Sequence, residues 1–276
     1  MCLIVLAINK HPSYPIVIAA NRDEYFNRPT HPLHAWPNSA IIAGRDELMG
    51  GTWLGITNSG KIAMVTNYRG PGEERATPKS RGTLVTNFLT TAEQPKNYCQ
   101  ALKPLNHLYS GYNLIVGSID DGLHYHSNRV ARAPERLLDG IYGLSNHLLD
   151  TAWPKVTFAK TAVSAALLAH QNNMPAQQIN LTERLFQILH SQQKPSPDEL
   201  PDTGISREKE YQLSSPFVSL AETKYGTRCS TVIMVSRAQS IQIIERNWNT
   251  AGSLISEKSH IVTSVFTRDA PSACQK

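Results

Sequence analysis

Short β-prone runs crowd both ends of this chain, while the helical patterns lie between them. Leu3 to Ile8, Ile16 to Ala20, Ala40 to Ala43, Thr52 to Thr57 and Ile62 to Tyr68 are separated by Pro, Gly and Asn, which reads as the strands and turns of an antiparallel sheet. β-Branched residues dominate again in Thr227 to Val235 and Ile241 to Asn247, a composition suited to half-buried pleated backbone. Strands at both ends with helices between them predict sheets covered by helices, an α+β layered arrangement. Sheet-rich folds reach 276 residues in one piece, so residues 1–276 are read as a single domain.

Asn58-Ser59-Gly60 marks a turn, so Trp53 to Thr57 and Lys61 to Asn67 should form a hairpin that brings Asn67 and Tyr68 to a strand end. Leu84, Val85, Phe88 and Leu89 share one helical face after a capping Ser80, and a second helix is expected over Asn97 to Leu102. Strands resume at Tyr112 to Ser118 and Leu123 to Ser127. Pro154 to His170 carries Val156, Ala159, Val163, Ala166 and Leu167 on one side, with Pro154 suited to a first turn. Another helix is expected over Leu181 to His190. The Pro-rich stretch Pro29 to Pro37, with His31 and His34, reads as a loop, and Gln193 to Ser206 as a linker or mobile surface loop.

Composition narrows the function. Apolar residues make up 41% of the chain, yet no run approaches the roughly 18 apolar residues of a membrane span, so no integral membrane segment is expected. The apolar opening Leu3 to Ile8 is too short for a secretory signal. Cys2, Cys99, Cys229 and Cys274 are far apart and form no C-x-x-C pair, which argues against a zinc site or a disulfide framework and for a reducing, cytoplasmic setting. The net charge of +5 is scattered and no nucleic-acid motif accompanies it, so no nucleic-acid partner is expected. The densest basic stretch, Arg69, Arg75, Lys79 and Arg81, reads as a loop suited to an anionic substrate. His124 and His126 alternate on one strand, but no third ligand has a recognisable spacing and no metal site is assigned.

The opening Met1-Cys2 bears on chemistry. Removal of Met1 would leave a thiol and a free α-amine on one residue, a nucleophile and base together. A cysteine opening an apolar strand also packs well without any reaction. Asn21-Arg22-Asp23-Glu24 follows the second apolar run as four polar residues, as a solvated turn would. A hairpin between the first two strands would nevertheless bring Arg22 and Asp23 beside Cys2, where Arg22 would favour the thiolate and Asp23 would hold the amine. Acyl transfer also needs oxyanion donors, and Asn67 and Asn146 are suitable amides, although each is commonly a turn residue. Arg228, opening a late strand, stands either at such a site or in a surface ion pair.

Met1-Cys2-Leu3-Ile4 and Ala20-Asn21-Arg22-Asp23-Glu24 together resemble the NRDE family, also called the transport and Golgi organisation protein 2 family. The resemblance continues, in order, through Gly50-Gly51-Thr52-Trp53-Leu54-Gly55, Thr66-Asn67-Tyr68-Arg69, Ser80-Arg81-Gly82, Tyr112-Asn113-Leu114, Gly143-Leu144-Ser145-Asn146, Trp153-Pro154-Lys155 and Tyr225-Gly226-Thr227-Arg228. The same landmarks are similar to those of N-terminal nucleophile hydrolases of the cholylglycine hydrolase and penicillin V acylase type. That resemblance implies a four-layer αββα sandwich of antiparallel sheets and an N-terminal Cys nucleophile. It also implies site roles for the Arg22-Asp23 turn, the hairpin end Asn67, the helix-preceding Asn146 and the late Arg228. The related enzymes separate the turn's Arg and Asp, whereas here they are adjacent. Two expectations follow. One is an N-terminal-cysteine hydrolase-like protein acting on an amide or thioester, an amidohydrolase or acyltransferase that passes the acyl group to water or another acceptor and requires no cofactor. The other is a non-catalytic carrier for haem or an acyl or lipid ligand, its apolar pocket lined by Trp53 and Tyr68, with Arg69 or Arg228 meeting anionic groups.

Overall fold

Alternation along the first strand sorts the molecule into layers. In the computed structural model, which describes residues 2–73, 79–171, 180–238 and 240–263, strand β1 (Cys2–Ile8) sends Ile4 and Leu6 into one core and Leu3, Val5 and Ala7 into another. The pleat has a period of two, so a strand lying between two apolar layers is apolar throughout. β2 (Ile16–Tyr25) repeats the rule: Ile16, Ile18 and Ala20 join the first core, and Val17 and Ala19 the second. Met1, Arg75 and Cys274 lie outside the described residues.

The first sheet has the order β10 (Gly140–Leu144), β1, β2, β12 (Tyr225–Val235), β13 (Ile241–Trp248), β14 (Leu254–Val262), with the two-residue β11 (Ser219–Leu220) on β12. The second runs in chain order: β3 (Thr30–Ala35), β4 (Ile41–Asp46), β5 (Leu54–Thr57), β6 (Lys61–Asn67), β7 (Tyr112–Ser118), β8 (Gly122–Ser127) and β9 (Glu135–Arg136). All pairings are antiparallel. The β5–β6 hairpin turns at Gly60, whose φ of 83° lies in the left-handed region.

Three cores separate four layers. Ile4, Ile18, Ile56, Met64, Ile115 and Ile243 meet between the sheets. α3 (Pro154–Gln171) and α4 (Leu181–Leu189) cover the first sheet through Val156, Ala159, Val163, Leu185 and Phe186. α1 (Gly82–Thr90) and α2 (Pro95–Ala101) cover the second through Leu84, Val85, Phe88 and Cys99. The result is an αββα sandwich, the α+β architecture expected from the sequence. Burying a large apolar side chain of this kind stabilises by roughly 1.5–3 kcal/mol, so each helix is held by its face more than by propensity. A short α5 (Arg207–Gln212) lies outside these layers. No helix among the described residues is long and apolar enough to cross a membrane.

Three local expectations are corrected, and one strand lies where none was expected. Asn21-Arg22-Asp23-Glu24 is not a solvated turn: β2 continues to Tyr25, and Asn21, Arg22 and Asp23 are buried. The cause is non-local, since β12 pairs with β2 as far as Tyr225↔Tyr25 and satisfies its backbone groups. The Pro29 to Pro37 stretch holds an edge strand, β3, whose register shifts between His31 and His34, around Pro32. The polar β14, at the edge of the first sheet opposite β10, is the unexpected strand. Gln193 to Ser206 contains a turn of 3-10 helix at Pro197–Glu199, and Thr203 within it is buried against Glu210.

Candidate active site

The hairpin register places the nucleophile candidate. Cys2 pairs with Arg22 across β1 and β2, so both side chains follow the Ile4 and Ala20 face and point between the sheets. Cys2 is half-buried at the rim of that space, and the Ser145 hydroxyl donates to its carbonyl oxygen at 2.9 Å. Burial pushes the Cys2 thiol above its ordinary range; Arg22 acts to lower it, whereas Asp23 and Glu24 act to raise it. The Arg22 guanidinium lies 4.2 Å from the centre of the Trp53 ring and 3.9 Å from the Glu24 carboxylate.

Adjacent strand residues face opposite ways, so Asp23 turns from Arg22 toward the helical layer. The Thr227 hydroxyl donates to its Oδ1 at 2.7 Å. Lys155, at the start of α3 and 4% exposed, acts electrostatically on the same carboxyl while its Nζ donates to the Leu213 carbonyl at 3.0 Å. Burial raises Asp23 above the usual carboxylate range, opposed by Lys155, Thr227 and Arg22. Burial drives Lys155 down to about 8, opposed by Asp23. A carboxyl and an ammonium with converging proton affinities therefore stand behind the thiol's strand.

A cavity of about 290 Å³ opens in front of Cys2, lined by Arg22, Asp23, Glu24, Asn67, Thr52, Trp53, Arg81 and neighbours. Asn67 arrives from the end of β6, as its hairpin predicted. Asn146 is fully buried behind it: its Nδ2 donates to the Asn67 carbonyl at 3.1 Å, and its Oδ1 lies 3.3 Å from the Ser145 hydroxyl oxygen. Asn67 is thus at the cavity wall and Asn146 supports it.

Other expected site residues lie elsewhere. Arg228 occupies the bulge between Thr227 and Cys229, which re-aims its side chain. Its Nη1 donates to the carbonyls of Tyr25, Phe26 and Arg28, so it secures the turn after β2 and does not line the cavity. The Tyr68 hydroxyl meets His147 at 2.9 Å, and Arg69 forms a 2.8 Å ion pair with the buried Glu210. Neither Tyr68 nor Arg69 faces Cys2. The apolar pocket expected from Trp53 and Tyr68 is corrected accordingly: only Trp53 lines the cavity, its ring under Arg22, and charged and polar side chains dominate the wall. His124 and His126 are both buried, and burial lowers His126 to about 4.

Sequence reasoning gave no site role to Ser145, Lys155 or Thr227, although all three lie in the motifs quoted for the resemblance. Arg81 was read only as part of a basic loop. A buried lysine is costly without a partner, and Lys155 after Trp153-Pro154 is where that signal was legible.

Fold and pocket define a class: an αββα sandwich whose first strand carries a cysteine at the mouth between its two sheets. The chain belongs to the Transport and Golgi organisation 2 family, whose profile matches residues 1–250. It is 33% identical over 260 residues to the Transport and Golgi organization 2 homolog of Mus musculus, covering 90% of this chain and 93% of that one. The Bos taurus homolog is 34% identical over 264 residues, with 90% and 93% covered. The Drosophila melanogaster Transport and Golgi organization protein 2 is 30% identical over 265 residues, with 89% and 91% covered. Among solved structures, the Caenorhabditis elegans N-acylethanolamine-hydrolyzing acid amidase ortholog aligns at a TM-score of 0.46 and 11% identity, covering 84% of this chain and 92% of that one. The C2A mutant of the conjugated bile acid hydrolase from Clostridium perfringens aligns at 0.46 and 10%, with 94% and 96% covered.

Proposed function

We propose that this protein is an acyl hydrolase that uses Cys2 as its nucleophile, once Met1 is removed, against an amide or thioester. The observation that carries the reading is the Cys2↔Arg22 pair, which sets a thiol and a guanidinium at a cavity whose wall includes Asn67. In the chain with Met1 attached, burial keeps the thiol protonated. A free amine on Cys2 supplies both a base for that proton and a positive charge to stabilise the thiolate.

The thiolate attacks the substrate carbonyl and the new oxyanion accepts from the Asn67 amide, which Asn146 holds through the Asn67 carbonyl. Collapse expels the amine or thiol, which takes the proton held by the α-ammonium. Water, deprotonated by the same amine, then cleaves the acyl-cysteine thioester and releases the acid. Asp23 and Lys155 hold the charge balance behind the strand, and Arg228 fixes the turn that follows it. A nucleophilic thiol at Cys2 requires a reducing setting, and the reading places the protein in the cytoplasm. The carrier reading, with haem or an acyl or lipid ligand in the same cavity, has less support because the wall is mainly polar and charged.

The test is the intact mass of untagged protein before and after a thiol-reactive acylating probe, with Cys2→Ala as control. Loss of Met1 with labelling confined to Cys2 is the expected result. Retained Met1, or turnover undiminished in Cys2→Ala, overturns the mechanism.

A further inference from the structure

Three arginines line the cavity in front of Cys2, and they are not equivalent. Arg28 forms a 2.7 Å ion pair with Asp46 and lies 3.7 Å from Glu24. Arg22 has Glu24 at 3.9 Å, the Thr30 hydroxyl at 3.5 Å and the Trp53 ring beneath it. Arg81 is half-buried, and the one hydrogen bond its side chain makes among the described residues runs from Nη1 to the Gly111 carbonyl at 3.1 Å. No described carboxylate stands within ion-pair distance of it. The acidic groups that act on it from farther away are Glu24 and Glu73, and both are engaged: Glu24 with Arg22 and Arg28, Glu73 with Arg129 and the Gly111 amide. A cation removed from water without a counter-ion is unfavourable unless a bound group supplies one.

The backbone beside Arg81 does not supply an alternative anion site. At the start of α1, Gly82 N donates to the Ser80 hydroxyl, Thr83 N to the Ser80 carbonyl and Leu84 N to the Arg81 carbonyl. Apart from the Asn67 amide and the exposed Lys79 ammonium, the donors this end of the cavity offers an anion are those of the Arg81 guanidinium. They lie close enough to Cys2 for the two groups to act on each other electrostatically.

We infer that Arg81 is an anion-recognition residue, and that the substrate of the Cys2 reaction carries a carboxylate or phosphate near the carbonyl that Cys2 attacks. This rests on the hydrolase reading and narrows its substrate class from any acyl compound to an anionic one. Arg81 would form a bidentate pair with the anion, as a guanidinium's planar fork allows.

The test uses charge as the probe. Alkylation of Cys2 in the full chain is followed by peptide mass with iodoacetamide, which is neutral, and iodoacetate, which bears a carboxylate; the urea-unfolded chain gives the intrinsic rate ratio. The folded protein is expected to favour iodoacetate by about tenfold relative to the unfolded chain, the scale of one screened charge contact. Arg81→Gln should return the ratio to the unfolded value, and Arg81→Lys should retain part of the preference. Thermal unfolding of each variant confirms that it folds. An equal ratio in wild type and Arg81→Gln overturns the inference while leaving the nucleophile intact. Should Cys2 resist both reagents, the hydrolase reading falls, and calorimetric titration with inorganic phosphate and with glutarate decides the anion site alone. Binding weakened about tenfold in Arg81→Gln supports it, the tighter of the two anions naming the source, and no binding to wild type overturns it.

Discussion

Lys155→Met tests the charge arrangement behind the thiol through the pH dependence of stability. Lys155 holds its proton to about 8 in the folded chain, against an ordinary value of 10.5. Between these values the unfolded chain binds more protons than the folded one, so stability rises with pH as Lys155 deprotonates in the native state. Below pH 8 the native state bears the full penalty of the buried ammonium; above 10.5 the penalty is gone. Two and a half units at 1.36 kcal/mol each make the rise about 3 kcal/mol. Methionine fills similar space but cannot titrate, so its variant lacks this rise. Burial raises Cys99 to about 12 and lifts Tyr98 and Tyr112 as well, which lowers stability above about pH 9 in both proteins and cancels in the comparison. Urea unfolding of both proteins at about pH 7.5 and about pH 10, extrapolated to water, measures the difference. Wild type should gain about 2–3 kcal/mol relative to Lys155→Met between the two pH values. Equal changes within about 1 kcal/mol would refute the burial argument.

Two further substitutions probe the supports of the site. Ser145→Ala removes the 2.9 Å hydrogen bond to the Cys2 carbonyl and is expected to cost about 1 kcal/mol by urea unfolding. Faster hydrogen exchange in β1 should accompany it, and unchanged exchange would show that the strand does not depend on this bond. Glu210→Ala breaks the ion pair between Arg69 and a carboxylate that is 1% exposed, and it should destabilise by about 3 kcal/mol. A loss below about 1 kcal/mol would show that the pair contributes no more than a surface contact.

The parts of the fold legible in the sequence are those whose signal is local. α1 and α3 were visible because Leu84, Val85, Phe88 and Leu89, and Val156, Ala159 and Val163, repeat at helical spacing, and the structure buries those residues. β12 and β13 announced themselves by β-branched composition. β14 did not: its residues are mostly exposed, so it lacks the apolar alternation that marks a half-buried strand, and only pairing with β13 keeps it extended. The end of β2 was misread for a related reason, since polar residues usually mark a turn, and a partner some two hundred residues away in β12 overrides that preference. Cys2, Arg22 and Asn67 could be brought together on paper because one hairpin register and one strand end suffice. Arg228 could not be placed, because its direction depends on a bulge that no local pattern records. Arg81 stood in plain view among other basic residues, yet its separation from every described carboxylate exists only in three dimensions.

The pairing of β2 with β12 has a consequence for the order of events during synthesis. β1 and β2 are made first, but the strand beside them, Tyr225–Val235, comes after most of the chain. Contacts of such sequence separation form slowly because a long loop must close first. The β1–β2 hairpin therefore spends most of translation beside an unfinished sheet. In the folded chain Cys2 is half-buried, and its carbonyl is tied to Ser145, which follows β10 on the other side of β1. The removal of Met1 that the proposed mechanism requires would have to come before this pairing is complete, so its extent would depend on how far folding lags behind synthesis.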